Sequence, residues 1–308
     1  MNILVISYSR IGDTILATSL INHLITENPN AEFTVVTSSI SKDLFQDMPQ
    51  LSKLIVIDKE KRSKHWLKIW NNTRTVKWDL IVDLRSSYLS YFLNTKKRII
   101  FRGSENLHKI DQFKEFLRIQ KNIEPTIWAN SEKYTHIIKD KNLSEKYICI
   151  APITNWTGKD WLIDNYSKLF NDPLFNDYQI VILGASDDEK IISQLEQFKQ
   201  SLSLAVINLM NCADMIESYF ILKKSAFFLG SDSSNMHLSV AAKIPTIGLF
   251  GPSNDQVYGP KGENNLTIRG SRSYRDIISD SNFTIDDAPS YLNDIKVDQV
   301  LSEIKKII

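Results

Sequence analysis

Short apolar runs alternate along this chain with longer stretches of helical spacing. Ile3 to Ile6, Phe33 to Val36, Leu54 to Ile57 and Leu80 to Val82 each have the length of a buried strand, and runs of this kind suit a parallel sheet covered on both faces. Between the first two, Ile15, Leu16, Leu20, Ile21 and Leu24 recur on one helix face over Thr14 to Leu24. A helical and linker region at about Ile123 to Lys146 interrupts the series. It restarts with Tyr147 to Ala151, Gln179 to Leu183, Ala205 to Asn208, Ala226 to Leu229 and Thr246 to Leu249. Such α/β alternation implies parallel sheet. Two series imply two Rossmann-like domains, residues 1–145 and 146–288. Ligands of these sheets bind at the carboxyl ends of the strands, where strand order reverses, so two facing sheets would share an interdomain cleft.

Two turns at strand ends carry candidate chemistry. After Ala226 to Leu229, Gly230 is expected to permit a sharp turn. Asp232, Ser233 and Ser234 then supply N-cap groups for a helix through about Ala242, with His237 one turn further on. The first turn of a helix presents unpaired N–H groups and positive partial charge, both suited to a pyrophosphate. From spacing alone, Asp232 and Ser233 are equally well read as plain helix caps, and a lone His237 as a packed residue. After the first strand, Gly12-Asp13 sits at a strand-to-helix turn, where Asp13 reads as an N-cap or as a carboxylate presented to a ligand.

Composition narrows the classes. The 308 residues, 43% of them hydrophobic, can bury a large core. The apolar runs fall well short of the ~20 residues that span a bilayer. The start MNILVIS has no basic n-region, so a cytoplasmic location is expected. Cys149 and Cys212 lack CxxC spacing, which points to packed thiols rather than a disulfide framework or zinc site. Net charge is +1, yet Lys59 to Lys121 holds 16 basic residues against 6 acidic ones. That excess suggests an acidic partner: phosphorylated lipid, an acidic sugar or nucleic acid. No aromatic RNA motif or zinc finger accompanies it, so nucleic acid ranks last.

Three segments in order resemble the lipopolysaccharide heptosyltransferase family, glycosyltransferase family 9. They are ILVISYSRIGDTILAT from Ile3, ITNWTGKDW around Lys159, and DSSNMHLSVAAKIPTIGLFGPS from Asp232. The last is similar to that family's Asp-Ser/Thr-Gly-x-x-His-x-x-Ala block, and the departure that matters is Ser234, which stands where the family usually has Gly. The resemblance implies a GT-B fold, two facing Rossmann-like domains, with a C-terminal helix in 289–308 packing back toward the first. It implies Asp13 as general base and Thr154, Asn155, Lys159, Asp232, Ser233, Ser234 and His237 around an ADP-sugar donor. Arg10, Arg62, Lys64 and Arg85 would hold an acidic lipid-linked glycan acceptor. Read from the sequence alone, Arg269, Arg272 and Arg275 follow the last predicted strand as a second basic group able to touch phosphate, and Trp161 reads as core.

No Asp-x-Asp pair occurs in the chain, so protein groups rather than a metal ion are expected to neutralise the diphosphate. No cofactor beyond the nucleotide-sugar co-substrate is implied. The expected activity is inverting transfer of a heptose or similar sugar to a lipopolysaccharide core, with peripheral contact at the inner face of the membrane. The alternatives are a related transferase using another nucleotide sugar and glycan, a nucleotide-sugar epimerase, or a non-catalytic nucleotide-sugar sensor.

Overall fold

A computed structural model of the chain describes residues 1–59 and 64–307. Contacts divide it into two compact units, Met1–Asn130 and Ser131–Ile308. The division falls earlier than residue 145, because the segment after Asn130 packs within the second unit: Tyr134 stacks on Phe220 with ring centroids 4.6 Å apart. Among the described residues, no helix is long and apolar enough to cross a membrane.

The first unit runs β1 (Asn2–Ile6), α1 (Ile11–Glu27), β2 (Glu32–Thr37), β3 (Leu51–Val56), α2 (Lys64–Thr73), β4 (Trp78–Asp83), β5 (Thr95–Ile100) and α3 (Lys109–Leu117). Its strands are all parallel, in the order β3-β2-β1-β4-β5. In register, Val5 faces Val35 on one side and Val82 on the other. Leu4, Ile6, Val36, Ile81 and Trp78 share one core cluster with Ile69 of α2. Strand order reverses between β1 and β4, which sets the ends of these two strands side by side as a crevice. The apolar run in Leu54 to Ile57 is realised a little earlier, as β3.

The second unit runs α4 (Ile137–Asp140), β6 (Tyr147–Ala151), α5 (Ile163–Phe170), β7 (Gln179–Ile182), α6 (Glu189–Ser201), β8 (Val206–Asn208), α7 (Met215–Leu222), β9 (Phe228–Ser231), α8 (Ser234–Ala241), β10 (Thr246–Phe250), α9 (Asp255–Tyr258), β11 (Asn265–Arg269), α10 (Tyr274–Ile278) and α11 (Val297–Ile304). Its parallel sheet has the order β11-β10-β9-β6-β7-β8, so the reversal lies between β6 and β9. Helix α11 was expected to pack toward the first domain. It buries Val300 and Ile304 in the second unit's core, against α5.

Gly230 does not make the turn expected of it. It lies inside β9 and has no positive φ. A Cβ there would stand 3.0 Å from the Ala151 carbonyl and 2.8 Å from the Phe228 ring. The missing side chain therefore allows close approach of β9 to β6, and the chain turns only after Ser231.

Candidate functional site

In the second unit, β6 and β9 deliver two loops to the reversal of strand order. The β9 loop places Asp232 ahead of α8, and Ser233 caps that helix, its Oγ accepting from the Met236 N–H at 3.4 Å. The N–H groups of Ser234 and Asn235 have no acceptor within the helix and mark its positive end. From the β6 loop, the Lys159 ammonium reaches across to Asp232 Oδ2 at 2.8 Å. His237 Nε2 lies 3.5 Å from Asp232 Oδ1, and its side chain is 5% exposed. Burial alone would push the Asp232 carboxyl upward. The hydrogen bond from His237 and the Lys159 charge outweigh it and hold the group well below the usual carboxylate range.

Asp232 thus has both carboxylate oxygens engaged by protein groups. Asp232, expected from the sequence to meet the donor, is thereby joined to both Lys159 and His237. Thr154 is also committed locally: its Oγ1 donates to the Trp156 carbonyl at 2.9 Å, and its N–H donates to Asp160 Oδ1 at 2.7 Å. Asn155 is exposed beside it. Trp161 is core, its Nε1 donating to the Ile295 carbonyl at 3.0 Å.

The Lys159 loop is tied down by a distant segment that the sequence did not reveal. Trp156 Nε1 donates to the Ile285 carbonyl at 2.9 Å, and the Tyr291 N–H donates to the Gly158 carbonyl at 3.1 Å. Thr157 Oγ1 reaches the Ala288 carbonyl at 3.0 Å. A Cβ at Gly158 would stand 2.6 Å from the Trp156 indole, so only glycine lets this ring fold over the loop.

Two of the arginines after β10 are engaged within the second unit. Arg269 holds the loop Gly251 to Asp255, donating to the carbonyls of Gly251 and Ser253 and pairing with Asp255. Arg272 pairs with Asp280 at 2.6 Å. Cys149 is buried in β6, whereas Cys212, expected to be packed, is exposed.

In the first unit, Asp13 is the third residue of α1 and half-buried; Arg10, not Asp13, occupies the cap position. Arg85 follows β4, and its Nε donates to the Ser7 carbonyl at 2.6 Å, which ties it to the end of β1. Asp83 fixes the backbone of this turn, accepting from the N–H groups of Arg85 and Ser87. Burial raises the Asp83 carboxyl despite these bonds, and burial lowers the Arg85 guanidinium from its ordinary value. Arg85 Nη2 and Ser7 Oγ are buried with no hydrogen-bond partner. Both groups can donate a hydrogen bond, which at a strand-order reversal suits them to ligand oxygens.

Arg10 and Lys64 are exposed, and Arg62 lies outside the described residues. One cation was missed. Lys109 is 7% exposed, its Nζ 4.8 Å from the Tyr8 ring centroid and 4.9 Å from that of Phe101. Burial lowers its ammonium, while the Asp13 charge acts in the opposite sense. Its sequence context, His-Lys-Ile-Asp, reads as a solvated helix start.

Each unit therefore has a polar cluster at the carboxyl edge of its sheet: a carboxylate and guanidinium in the first, an ammonium and a helix terminus in the second. The sequence profile of glycosyltransferase family 9 (heptosyltransferase) matches residues 85–277. The lipopolysaccharide core heptosyltransferase OpsX of Haemophilus influenzae is 21% identical, the alignment covering 98% of this chain and 96% of that protein. A glycosyl transferase family 9 structure from Veillonella parvula superposes with a TM-score of 0.83 at 18% identity, covering 99% of this chain and 96% of the other. E. coli heptosyltransferase WaaC, solved with ADP, superposes with a TM-score of 0.75 at 13% identity over 100% of both chains. The likeness to these structures establishes the fold, GT-B with a parallel sheet in each domain.

Proposed function

The chain belongs to glycosyltransferase family 9, the heptosyltransferases, and from that premise we propose that it moves a heptose or similar sugar from an ADP-linked donor to a lipopolysaccharide inner-core acceptor. Transfer would invert the anomeric centre and use no metal ion. Family membership sets aside the epimerase and sensor readings. The observation that carries the donor assignment is the cluster of Lys159, Asp232 and the amino end of α8 at the reversal between β6 and β9.

The chemistry follows from these groups. The acceptor hydroxyl oxygen attacks the anomeric carbon from the side opposite the diphosphate, and Asp13 takes its proton. The bond from that carbon to the diphosphate oxygen breaks, and ADP leaves with the electron pair. Charge growing on the leaving oxygens is met by the Lys159 ammonium and the N–H groups of Ser234 and Asn235, preset donors that need little reorganisation. Asp232 is a positioning residue in this scheme, holding Lys159 and His237. Thr154 shapes the loop, and Asn155 offers its amide to the phosphates. On the acceptor side, Arg85 presents Nη2, with Arg10, Lys64 and Arg62 as further counter-charges for carboxylate or phosphate. The acceptor's lipid would bring the protein to the inner face of the membrane as a peripheral enzyme.

Metal independence rests on the sequence, which has no Asp-x-Asp pair, and on the cationic groups that take its place. A thermal-shift comparison of ADP, UDP, GDP and CDP tests the donor class: selective stabilisation by ADP supports the reading, and preference for another nucleotide overturns it. A single-turnover assay with ADP-heptose then tests transfer. Release of ADP only when acceptor is added supports it, and release without acceptor means hydrolysis.

A further inference from the structure

The largest apolar residues exposed on the first unit gather around one groove. Leu67 on α2 is 60% exposed, and on the turn after β4 Tyr88 is 84% and Phe92 76% exposed. With Trp66, Trp70 and Leu89 they line a groove of about 850 Å³. Side chains this large and this bare, adjacent to one another, mark an interaction surface. The same residues make no contribution to the sugar chemistry argued above.

The charge around the groove identifies its partner. Residues 64–77 contain four basic residues and no acidic one, and residues 84–104 contain five and none, of which Lys96 is paired with Asp79 at 2.6 Å. Three of these cations stand against aromatic rings of the groove or its rim. Arg74 lies 4.6 Å over Trp70, Arg85 6.0 Å over Trp66 and Arg98 5.4 Å over Tyr91. Arg98 is held in place by donating to the carbonyls of Ser90 and Leu93. Aromatic and aliphatic side chains projecting beside guanidinium groups, with no carboxylate among them in these segments, match an interface that is apolar inside and anionic at its surface.

We infer that the α2 and Tyr88–Phe92 groove is a docking surface for an anionic lipid bilayer: Leu67, Tyr88 and Phe92 enter the acyl boundary while Arg74 and Arg98 meet lipid phosphates. This rests on the reading of a lipid-borne acceptor and adds to it a binding face that operates without that acceptor. Docking would present Arg85, which also lines the groove, at headgroup depth.

The test is co-sedimentation of the full chain with vesicles of equal parts phosphatidylcholine and phosphatidylglycerol, and with phosphatidylcholine alone, none containing a glycolipid. Expected is binding to the anionic vesicles that weakens as salt rises. The variant Tyr88→Ser/Phe92→Ser should partition about tenfold less, because two interfacial aromatic anchors are gone. Both positions project from the surface, so folding and ADP-induced thermal stabilisation should be unchanged. Arg74→Gln/Arg98→Gln should flatten the salt dependence. Absence of anionic-vesicle binding by the unaltered chain, or equal binding by the serine variant, overturns the inference. So does a dimer in light scattering that the serine variant dissolves, since the groove would then be covered by a second copy. Loss of transferase activity with a soluble acceptor would speak against the proposed function and leave the vesicle result standing.

Discussion

Lys159 Nζ lies 2.8 Å from Asp232 Oδ2, joining the loop after β6 to the loop after β9 across the reversal of strand order. The ammonium is 24% exposed and the carboxylate 12%. The pair is therefore sheltered enough that removing one partner leaves the other in a poor environment.

Lys159→Met should lower unfolding free energy by about 1–3 kcal/mol, since the sheltered Asp232 carboxylate keeps only its hydrogen bond with His237. ADP affinity should fall by about tenfold or more through loss of a charge-assisted contact. Lys159→Met/Asp232→Asn should recover most of the stability and none of the affinity. Urea unfolding and calorimetric ADP titration measure the two separately. Unchanged ADP affinity in both variants would remove Lys159 from the donor site. Because the folded state holds the Asp232 carboxyl below its unfolded value, its contribution is present at neutral pH and is lost as pH falls through the acid range.

Asp13→Asn keeps the shape of the first turn of α1 and removes the base. Turnover should drop by about 10²–10⁴-fold, with ADP binding unchanged. Near-normal turnover in a single-turnover assay would reduce Asp13 to an acidic residue favourable at a helix N-terminus. The nearby Lys109 gives an independent check. Lys109→Met removes a buried cation that interacts with the Asp13 charge, so turnover should fall while ADP binding stays unchanged, and unchanged turnover would leave Lys109 without a role at Asp13.

Gly230→Ala tests why glycine is needed inside β9. The new methyl would press on the Ala151 carbonyl and the Phe228 ring, and the loss should be about 1–3 kcal/mol. It should appear in unfolding by denaturant. A loss within experimental error would show that β9 and β6 can separate without penalty.

Much of this architecture was legible in the sequence, for physical reasons that also explain the omissions. Central strands such as Ile3 to Ile6 and Tyr147 to Ala151 are buried on both faces and so read as continuous apolar runs. Strands β5, TKKRII, and β11, NLTIR, lie at sheet edges, are half polar and carry no such run. The cap at Ser233 was visible because caps are local, whereas the cap position of α1 falls on Arg10, which makes no capping side-chain bond and so left no signal. The tie from Trp156 to Ile285 spans 129 residues, and no local pattern encodes it. Arg269 looked like a phosphate ligand because a guanidinium in sequence is mute about the carbonyls it will meet. Gly230 looked like a turn for a similar reason: its partner, the Ala151 carbonyl, belongs to another strand.

The last prediction concerns Asp160, adjacent to Lys159. Burial raises its carboxyl from 3.8 to about 6, against the hydrogen bonds from Thr154 and the Lys159 charge. Between those two values the folded chain binds more protons at this site than the unfolded chain does, so this group lowers stability as pH rises through the interval. A shift of that size corresponds to about 3 kcal/mol at most, and to nearer 1 kcal/mol once partial exposure is counted. Asp160→Asn keeps an oxygen to accept the Thr154 N–H and cannot ionise. The variant should match the natural chain near about pH 4 and exceed it in stability near about pH 7. Urea unfolding across that range measures the gap. A gap that stays constant with pH would mean that Asp160 ionises as an ordinary carboxylate, and a gap of opposite sign that its charge stabilises the Lys159 loop.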